Sequence, residues 1–534
     1  MSQRLPSPFG PAVFKARART SILPMDACAS PVELFERLSR QHPGKAGSGA
    51  VLMESAAQGA PAGVRSLVVP EGIVRLVIRG SQVRYSPLTS RAVPLMDMLR
   101  KRLPKVELRG DSLVAHFPDF DKDPAAPDAE RVRAASVLDG VRALAGLVED
   151  EDPEEGLLPP GLYGAFSYEA VDLWEELPPR RPDPLGEPDA NLVFALDTIS
   201  FDHVRGEVRV VSRSPGGLSH DDEDRHRFYV AALEKQGSPP EYFGDDLVRE
   251  KEAEADVSDE EFTSSVKKFL SHVLAGDIFQ GVLSRGLWMK SSASPLAVYR
   301  ALRSRNPSPY MFYIDLGDGE LLGASPETCI KVERGQVMIR PIAGTAPRGI
   351  GADGSIDEEL DARLAVSLLL DTKEQAEHAM LVDLARKDVA RVSVPGTRQV
   401  TDPFCVEKYS HVQHLVSGVK GTLLPDLDAL HAYVASANMG TLTGAPKLRA
   451  MELIRETEPT ARGYYGGAVG YLLQDGTFDS CIVIRTLRHR QGSYLTRTGA
   501  GIVADSIPEK ELEETIHKAR ACRVAIALAE RGQR

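Results

Sequence analysis

The sequence predicts an α+β protein, a large two-lobed architecture of antiparallel sheet with surrounding helices, and three features of its second half lead there. Strand-like and helix-like segments follow one another without the regular βαβ alternation of a doubly wound sheet. Two β-prone runs, Cys481 to Leu487 and Tyr494 to Thr498, flank Gln491-Gly492, a pair suited to a tight hairpin turn. The chain then closes with a helix opening near Pro508, where the fixed φ of proline suits a first helical turn.

At 534 residues the chain exceeds one ordinary core, so more than one domain is expected. Three stretches rich in Pro and charge, Pro118 to Glu155, Pro179 to Pro188 and Gly237 to Val257, read as exposed connections. The last ends at Ser258, where Ser-x-x-Glu261 forms a capping box and Phe262, Val266, Phe269, Leu270 and Val273 recur at helical spacing. A new helix therefore starts there, and the boundary is placed between an N-terminal domain, 1–257, and a C-terminal domain, 258–534.

A formal charge of −12 argues against a nucleic-acid partner while leaving room for a local basic pocket that holds a small dianion. No apolar run approaches the roughly 18 residues a membrane span needs. The first 25 residues carry Arg4, Lys15, Arg17 and Arg19 without acids, faintly like a transit peptide, but have no apolar signal core. The five cysteines, Cys28, Cys329, Cys405, Cys481 and Cys522, are scattered and never in CxxC spacing, which suits a reducing cytoplasm and offers no zinc site.

Four segments concentrate chemistry. In DTKEQAEHAMLVDLARKD, Glu374 and Glu377 sit one turn apart on a helix, and on the final helix Glu511, Glu514 and Lys518 share a face. Two such carboxylate pairs make a plausible cage for a hard cation such as Mg²⁺, though each pair alone reads first as a solvated helix face. In NMGTLTGAPKLRAMELIRE a glycine loop opens onto a helix whose N–H groups could hold an anion; it is not a phosphate-binding P-loop, and a simple cap and turn explains it equally. The runs GYYGGAVGY, CIVIRT and RTGAG look like strands whose glycines let a ligand approach the backbone, and Arg485 stands among apolar neighbours where it needs an anion or a polar pocket. Together these parts imply a small substrate with more than one carboxylate.

The ordered segments GDIFQGVLSR, NPSPYMFY, GASPET, PIAGTAPRG, AEHAMLVDLAR, YSHVQHLVSG, ANMGTLTGAPKLRAMELI, GYYGGAVGY, DSCIVIRT and GAGIVADS resemble the motifs of the chorismate-utilising family, and within it the anthranilate-forming branch. Echoes in VLMESA and GLYGAFSY extend the resemblance to nearly the whole chain. The resemblance implies Glu377 and Glu514 as Mg²⁺ ligands, with Glu374 and Glu511 acting through bound waters. Tyr465, Arg485 and the backbone of Gly499, Ala500 and Gly501 are implied to hold the enolpyruvyl carboxylate of chorismate. Thr441, Gly344 and Lys518 line the rest of the pocket. Glu327 is the implied general acid at the departing C4 hydroxyl, and His414 assists loss of the C2 proton, although a histidine in this stretch could equally be a buried structural one.

Two positions favour free ammonia as nucleophile. Isochorismate-forming relatives place a water-activating lysine where this chain has Gln280, and C4-aminating relatives of the folate route place a nucleophilic lysine where it has Ala343. The rivals are that C4-aminating type, a synthase that releases the C2-aminated intermediate, and an inactive tryptophan-binding regulator. Lys387, Gly418, Ile516 and His517 depart from the family's usual residues. No cysteine has the glycine-rich setting of a glutaminase nucleophile, so a separate glutamine amidotransferase subunit, and hence a hetero-oligomer, is expected. The resemblance further implies inhibition by L-tryptophan through Glu54, Ser55, Asn306, Pro307, Met311, Phe312 and Cys481, with Arg65 joining them. Cys481 and Arg485, read as one strand, would face the same side roughly 13 Å apart at about 3.3 Å per residue, offering a link between the two sites.

Overall fold

Strands buried at every position need cover on both faces, and Gly161–Phe166 and Ala190–Ala195 are of that kind. The chain is described from a computed structural model covering residues 9–10, 12–41, 48–55, 65–120, 133–154, 156–215, 219–234, 248–351, 355–409 and 412–532. Its strands form two thirteen-stranded sheets. The first runs in spatial order through Glu254–Ala255, Gln280–Lys290, Ser493–Ile502, Thr486–Arg490, Glu320–Ser325, Tyr310–Asp315, Val51–Glu54, Arg65–Val69, Thr198–Asp202, Glu207–Pro215, Phe14–Pro24 and Val148–Asp150, with Gly444–Ala445 paired to Gln280–Lys290. The second runs through Ile342–Pro347, Val412–Thr422, Gln336–Ile339, Thr328–Glu333, Phe478–Ile482, Ala468–Leu473, Gly161–Phe166, Ala190–Ala195, Val74–Arg79, Gln82–Pro87, Ser112–His116 and Val106–Arg109, with Gln399–Lys408 paired to Val412–Thr422.

The pairing is antiparallel apart from Phe14–Pro24 with Val148–Asp150, as the lack of βαβ alternation predicts. The inner faces of the sheets meet in one apolar cluster that joins Val51, Leu67 and Phe312 to Tyr163, Val469 and Cys481. Helices cover the outer faces. Pro31–Gln41, Pro295–Arg305 and Pro508–Gly532 pack on the first sheet, and Val93–Arg102, Thr372–Val392 and Ala429–Ser436 on the second. Among the described residues no helix is long and apolar enough to cross a membrane.

The helix from Asp259 starts where expected: Ser258 Oγ accepts from the Glu261 amide at 3.1 Å, and Glu261 accepts in return from the Ser258 amide at 3.0 Å. Gln491 and Gly492 both have positive φ, 51° and 75°, the hairpin geometry that matches strand twist. The boundary near residue 257 does not part the sheets. Val51–Glu54 pairs with Tyr310–Asp315 and Gly161–Phe166 with Ala468–Leu473, so both sheets take strands from each side of it. Lys15, Arg17 and Arg19 lie in the strand Phe14–Pro24, while Arg4 lies outside the described residues.

Two expectations need correction. Pro118 to Glu155 is not simply an exposed connection: it contains the helix Leu138–Ala145, whose Leu138, Val141, Leu144 and Ala145 are buried at helical spacing. The flanking acids and prolines mask that short periodicity. Nor is Cys481 to Leu487 one strand. Phe478–Ile482 belongs to the second sheet and Thr486–Arg490 to the first, and the chain crosses between the sheets at Val483, Ile484 and Arg485, where Arg485 has φ of 50°. Cys481 and Arg485 therefore share no strand face.

Where the two chain segments join in the second sheet, glycine meets glycine: Gly164 pairs with Gly470. A Cβ at Gly164, with φ of 155°, would lie 2.2 Å from Asn191 O, and one at Gly470 would lie 2.1 Å from Asp479 O. Gly164→Ala is expected to lower stability by about 1–3 kcal/mol, the usual cost of overpacking, as read from the midpoint of urea unfolding.

Candidate active site

The crossing from one sheet to the other ends at Arg485, whose buried guanidinium has Glu327, His414 and Cys522 among its electrostatic neighbours. The side chain keeps partial solvent contact, so it borders a cleft. Among the described residues no hydrogen bond or ion pair engages that guanidinium, and burial lowers its pKa. A cation held this way attracts any anion of matching shape.

Glu327 lies just before the strand Thr328–Glu333, and its carbonyl accepts from the Ile482 amide at 3.0 Å, which ties it to the same crossing. Burial pushes its carboxyl up to about 8, against the opposing effects of Thr441, Lys518 and Arg485. The Thr441 hydroxyl is near enough to temper that shift but stands outside hydrogen-bond geometry. Glu327 is therefore a neutral acid at pH 7.

His414, on the strand Val412–Thr422, faces the bulge between Ala343 and Thr345. Its Nδ1 lies 3.2 Å from Gly344 O and 3.0 Å from Thr345 Oγ1, while its buried Nε2 has no partner. With Nδ1–H donating to the carbonyl, Nε2 carries the free lone pair; burial drives the pKa down to about 4 and keeps the ring neutral. The bulge requires glycine: Gly344 has φ of 64°, and a Cβ there would lie 2.9 Å from Glu374 Oε2.

Two helices supply the carboxylates. Asp371 caps Thr372–Val392 by accepting from the Lys373 and Glu374 amides at 2.9 and 3.1 Å, which fixes where Glu374 and Glu377 emerge. The final helix, Pro508–Gly532, supplies Glu511 and Glu514. Glu374, Glu377 and Glu511 all have raised pKa values, first from burial and also from the charge of Glu514. Lys373, missed by the sequence reading although it adjoins Glu374, offsets part of that repulsion. Glu514 is turned to Lys518 at 2.6 Å, and Lys518 Nζ also donates to Gly499 O at 3.0 Å. Among the described residues no three such groups converge on one ion position. The donor set still suits Mg²⁺, which takes one or two protein carboxylates and completes its shell with water and substrate oxygens.

The far wall is Ser493–Ile502, whose Gly499, Ala500 and Gly501 pair with Ser284, Leu283 and Val282. A Cβ on Gly499 would lie 2.8 Å from Tyr465 Oη, and one on Gly501 would lie 3.1 Å from Gln280 Nε2, so both glycines admit a side chain against the backbone. Ala343 and Gln280 are both buried here. Lys387 is exposed and pairs with Asp383, and His517 is exposed.

The residues expected at a tryptophan site divide between two faces. Glu54 accepts from Tyr299 Oη at 2.7 Å and Arg303 Nε at 3.0 Å, and its strand partner Met311 packs in that same outer cluster. Phe312 and Cys481 instead lie in the cluster between the sheets. Ser55 donates its amide to Ser66 Oγ at 3.3 Å and leaves its own buried hydroxyl without a partner. The charge of Arg65 reaches Tyr163 and Tyr471. Asn306 ends the helix Pro295–Arg305, with Pro307 following it.

The profile of the chorismate binding enzyme family matches residues 108–523, and the chain belongs to that family. It is 41% identical over 505 residues to anthranilate synthase component 1 of Vibrio cholerae, covering 91% of this chain and 93% of that protein. It is 39% identical over 514 residues to the Escherichia coli protein of the same description, covering 94% and 96%. Among solved structures, anthranilate synthase component I from Streptococcus pneumoniae superposes with a TM-score of 0.69 at 29% identity, over 94% of this chain and 99% of that one. The menaquinone-specific isochorismate synthase of Escherichia coli, at 18% identity and a TM-score of 0.64 over 97% and 96%, shares the fold.

Since Arg485 is held without an anion, Arg485→Met is expected to raise stability by about 1 kcal/mol, the reverse of the usual effect of a core substitution. Backbone strain at φ of 50° is the same for both residues, so the change reads the charge alone. Denaturant midpoints of the two proteins measure it.

Proposed function

We propose that this chain is the chorismate-converting subunit of an anthranilate synthase, which turns chorismate and ammonia into anthranilate, pyruvate and water. The observation that carries the reading is a carboxylic acid kept protonated at neutral pH, Glu327, set beside the unpaired cation Arg485. Full-length relatives described as anthranilate synthase component 1 support it.

In this reading Arg485, Tyr465 and the backbone at Gly499 to Gly501 hold the enolpyruvyl carboxylate. Glu327 gives its proton to the C4 hydroxyl as it leaves and ammonia adds at C2. His414 Nε2, neutral and open, takes the C2 proton as the enolpyruvyl group departs; the proton on its carbon completes pyruvate. Mg²⁺, held through Glu377 and Glu514 with Glu374 and Glu511 behind them, supplies electrostatic stabilisation of the ring carboxylate when bound. Neither Gln280 nor Ala343 can act as the lysine of water- or C4-directed relatives, so free ammonia is the nucleophile.

The ammonia comes from a separate glutaminase subunit. Burial pushes the thiols of Cys329 and Cys522 up to about 12 and about 11 and raises those of Cys28 and Cys481, the opposite of an activated nucleophile. We place the assembly in the cytoplasm. The purified chain with chorismate, Mg²⁺ and ammonium should release anthranilate and pyruvate, and with glutamine alone should release neither. A C4-aminated or unaromatised product overturns the assignment.

The acid form of Glu327 is the working form, so activity belongs to the low side of its pKa. With rate expressed per free ammonia, turnover should be level below about pH 7 and fall through about pH 8 as the carboxyl ionises. Glu327→Gln should lose at least about 100-fold in kcat, the common worth of a general acid.

A regulatory reading rests on Ser55, whose buried hydroxyl lacks a partner near Glu54. Tryptophan binding there inhibits the enzyme, and its effect reaches Arg485 through the crossing after Cys481 rather than along a strand. Ser55→Phe should abolish inhibition while leaving basal turnover intact. Tryptophan titrated at sub-saturating chorismate with no loss of rate removes the regulatory reading and leaves the catalytic one.

A further inference from the structure

One fully buried cation at this site is accounted for neither by the carboxylates nor by the substrate-facing groups. Arg462, 4% exposed, lies in the segment ARGYYGG between the helix Lys447–Thr457 and the strand Ala468–Leu473. Its Nη1 donates to Leu442 O at 2.7 Å, and its Nη2 to Val282 O at 2.6 Å. Its Nε donates to Glu458 Oε2 at 3.0 Å, and Nη2 reaches the other oxygen of the same carboxylate. The guanidinium also lies 4.6 Å from the ring centroid of Tyr168 and 5.8 Å from that of Tyr465.

Each contact ends on a wall of the cleft. Leu442 follows Thr441 in the glycine loop. Val282 stands opposite Gly501 in the sheet. Glu458 accepts from both the amide and the hydroxyl of Ser284, at 2.7 and 2.9 Å, and Ser284 stands opposite Gly499. The first half of the chain enters through the same residue: Glu169 Oε1 accepts from the Arg462 amide at 2.8 Å, and Tyr168 Oη lies 3.2 Å from Thr443 Oγ1. The planar fork makes four contacts from three separate nitrogens in one rigid plane, whereas an ammonium of equal charge offers three donors at a single point and cannot reproduce that spread.

We propose that Arg462 is a positioning residue that fixes the glycine backbone, the Thr441 loop and the Tyr465 ring in the arrangement that receives the substrate's carboxylate. It touches no reacting atom and acts by holding the three walls in mutual register, the kind of support a binding constellation needs to stay within about half an ångström of productive geometry. The inference rests on the reading above for the identity of the carboxylate, but not for the mechanical link.

The test is Arg462→Lys, which keeps a charge opposite Glu458 and gives up the fork. KM for chorismate should rise about tenfold or more while KM for ammonia and kcat stay within about threefold, because ground-state placement of the carboxylate is what is lost. Amide hydrogen exchange in peptides spanning 440–444 and 499–502 should quicken. A folded variant with unchanged KM for chorismate and unchanged exchange overturns the proposal, as does a uniform loss of kcat with both KM values kept. Should Arg462→Lys fail to fold, Tyr168→Leu, which keeps every guanidinium bond and removes the ring beneath it, must show the same pattern in smaller degree where Tyr168→Phe, which loses only the hydroxyl contact with Thr443, does not, or the proposal falls. If the wild-type chain does not turn over chorismate, the functional reading fails, and the exchange measurement alone decides the positioning claim.

Discussion

A guanidinium without an anion governs the arrangement of this molecule. Arg485 ends a three-residue crossing from one sheet to the other, and among the described residues no ion pair cancels its buried charge. The nearest acid, Glu327, is the group that could cancel it. Arg485 does pull the Glu327 carboxyl downward, but burial outweighs that pull and the proton stays on. His414 is likewise kept neutral, and Lys518 is engaged with Glu514 and Gly499 O. The site thus holds one cation unmatched beside a carboxyl and an imidazole that burial keeps neutral.

Much of this could be read from residue types and spacing. Carboxylates at i, i+3 on two helices, glycines where the backbone must be approached, and a capping box at Ser258 are local signals, and local physics preserves them in the fold. The crossing at Arg485 could not be read that way. CIVIRTL is an unbroken β-prone run, and no glycine or asparagine marks the residue that takes positive φ. The bend is imposed by two sheets that each claim one end of the segment, a demand expressed only in tertiary pairing. The helix Leu138–Ala145 was hidden for a different reason: its apolar stripe is two turns long, and charged neighbours dominate any wider window.

The division of Met311 and Phe312 shows the same limit at single-residue scale. Adjacent strand residues point to opposite faces, so a motif that lists both cannot place both in one cavity. Here Met311 joins Glu54 and Tyr299 under a helix, and Phe312 joins Cys481 between the sheets. Arg462 was passed over because it sits among glycines and tyrosines that suggest a turn. Glu458 lies only four residues before it, but Leu442 and Val282 are 20 and 180 residues away in sequence and meet it only once the chain folds.

Because each sheet is completed by joining a block of early strands to a block of late ones, at Val51–Glu54 with Tyr310–Asp315 and at Gly161–Phe166 with Ala468–Leu473, the order in which the chain is made matters. Glu54 finds its partner Tyr299 245 residues later in sequence, and Gly161–Phe166 waits for Ala468–Leu473 near the end. During synthesis the early strands emerge with open edges on both sheets and no partners to close them. Such non-local pairing is slow and leaves edges exposed to other chains while it proceeds. The nascent protein is therefore most vulnerable to aggregation on the ribosome, and its native state is out of reach until the last strand has left the exit tunnel.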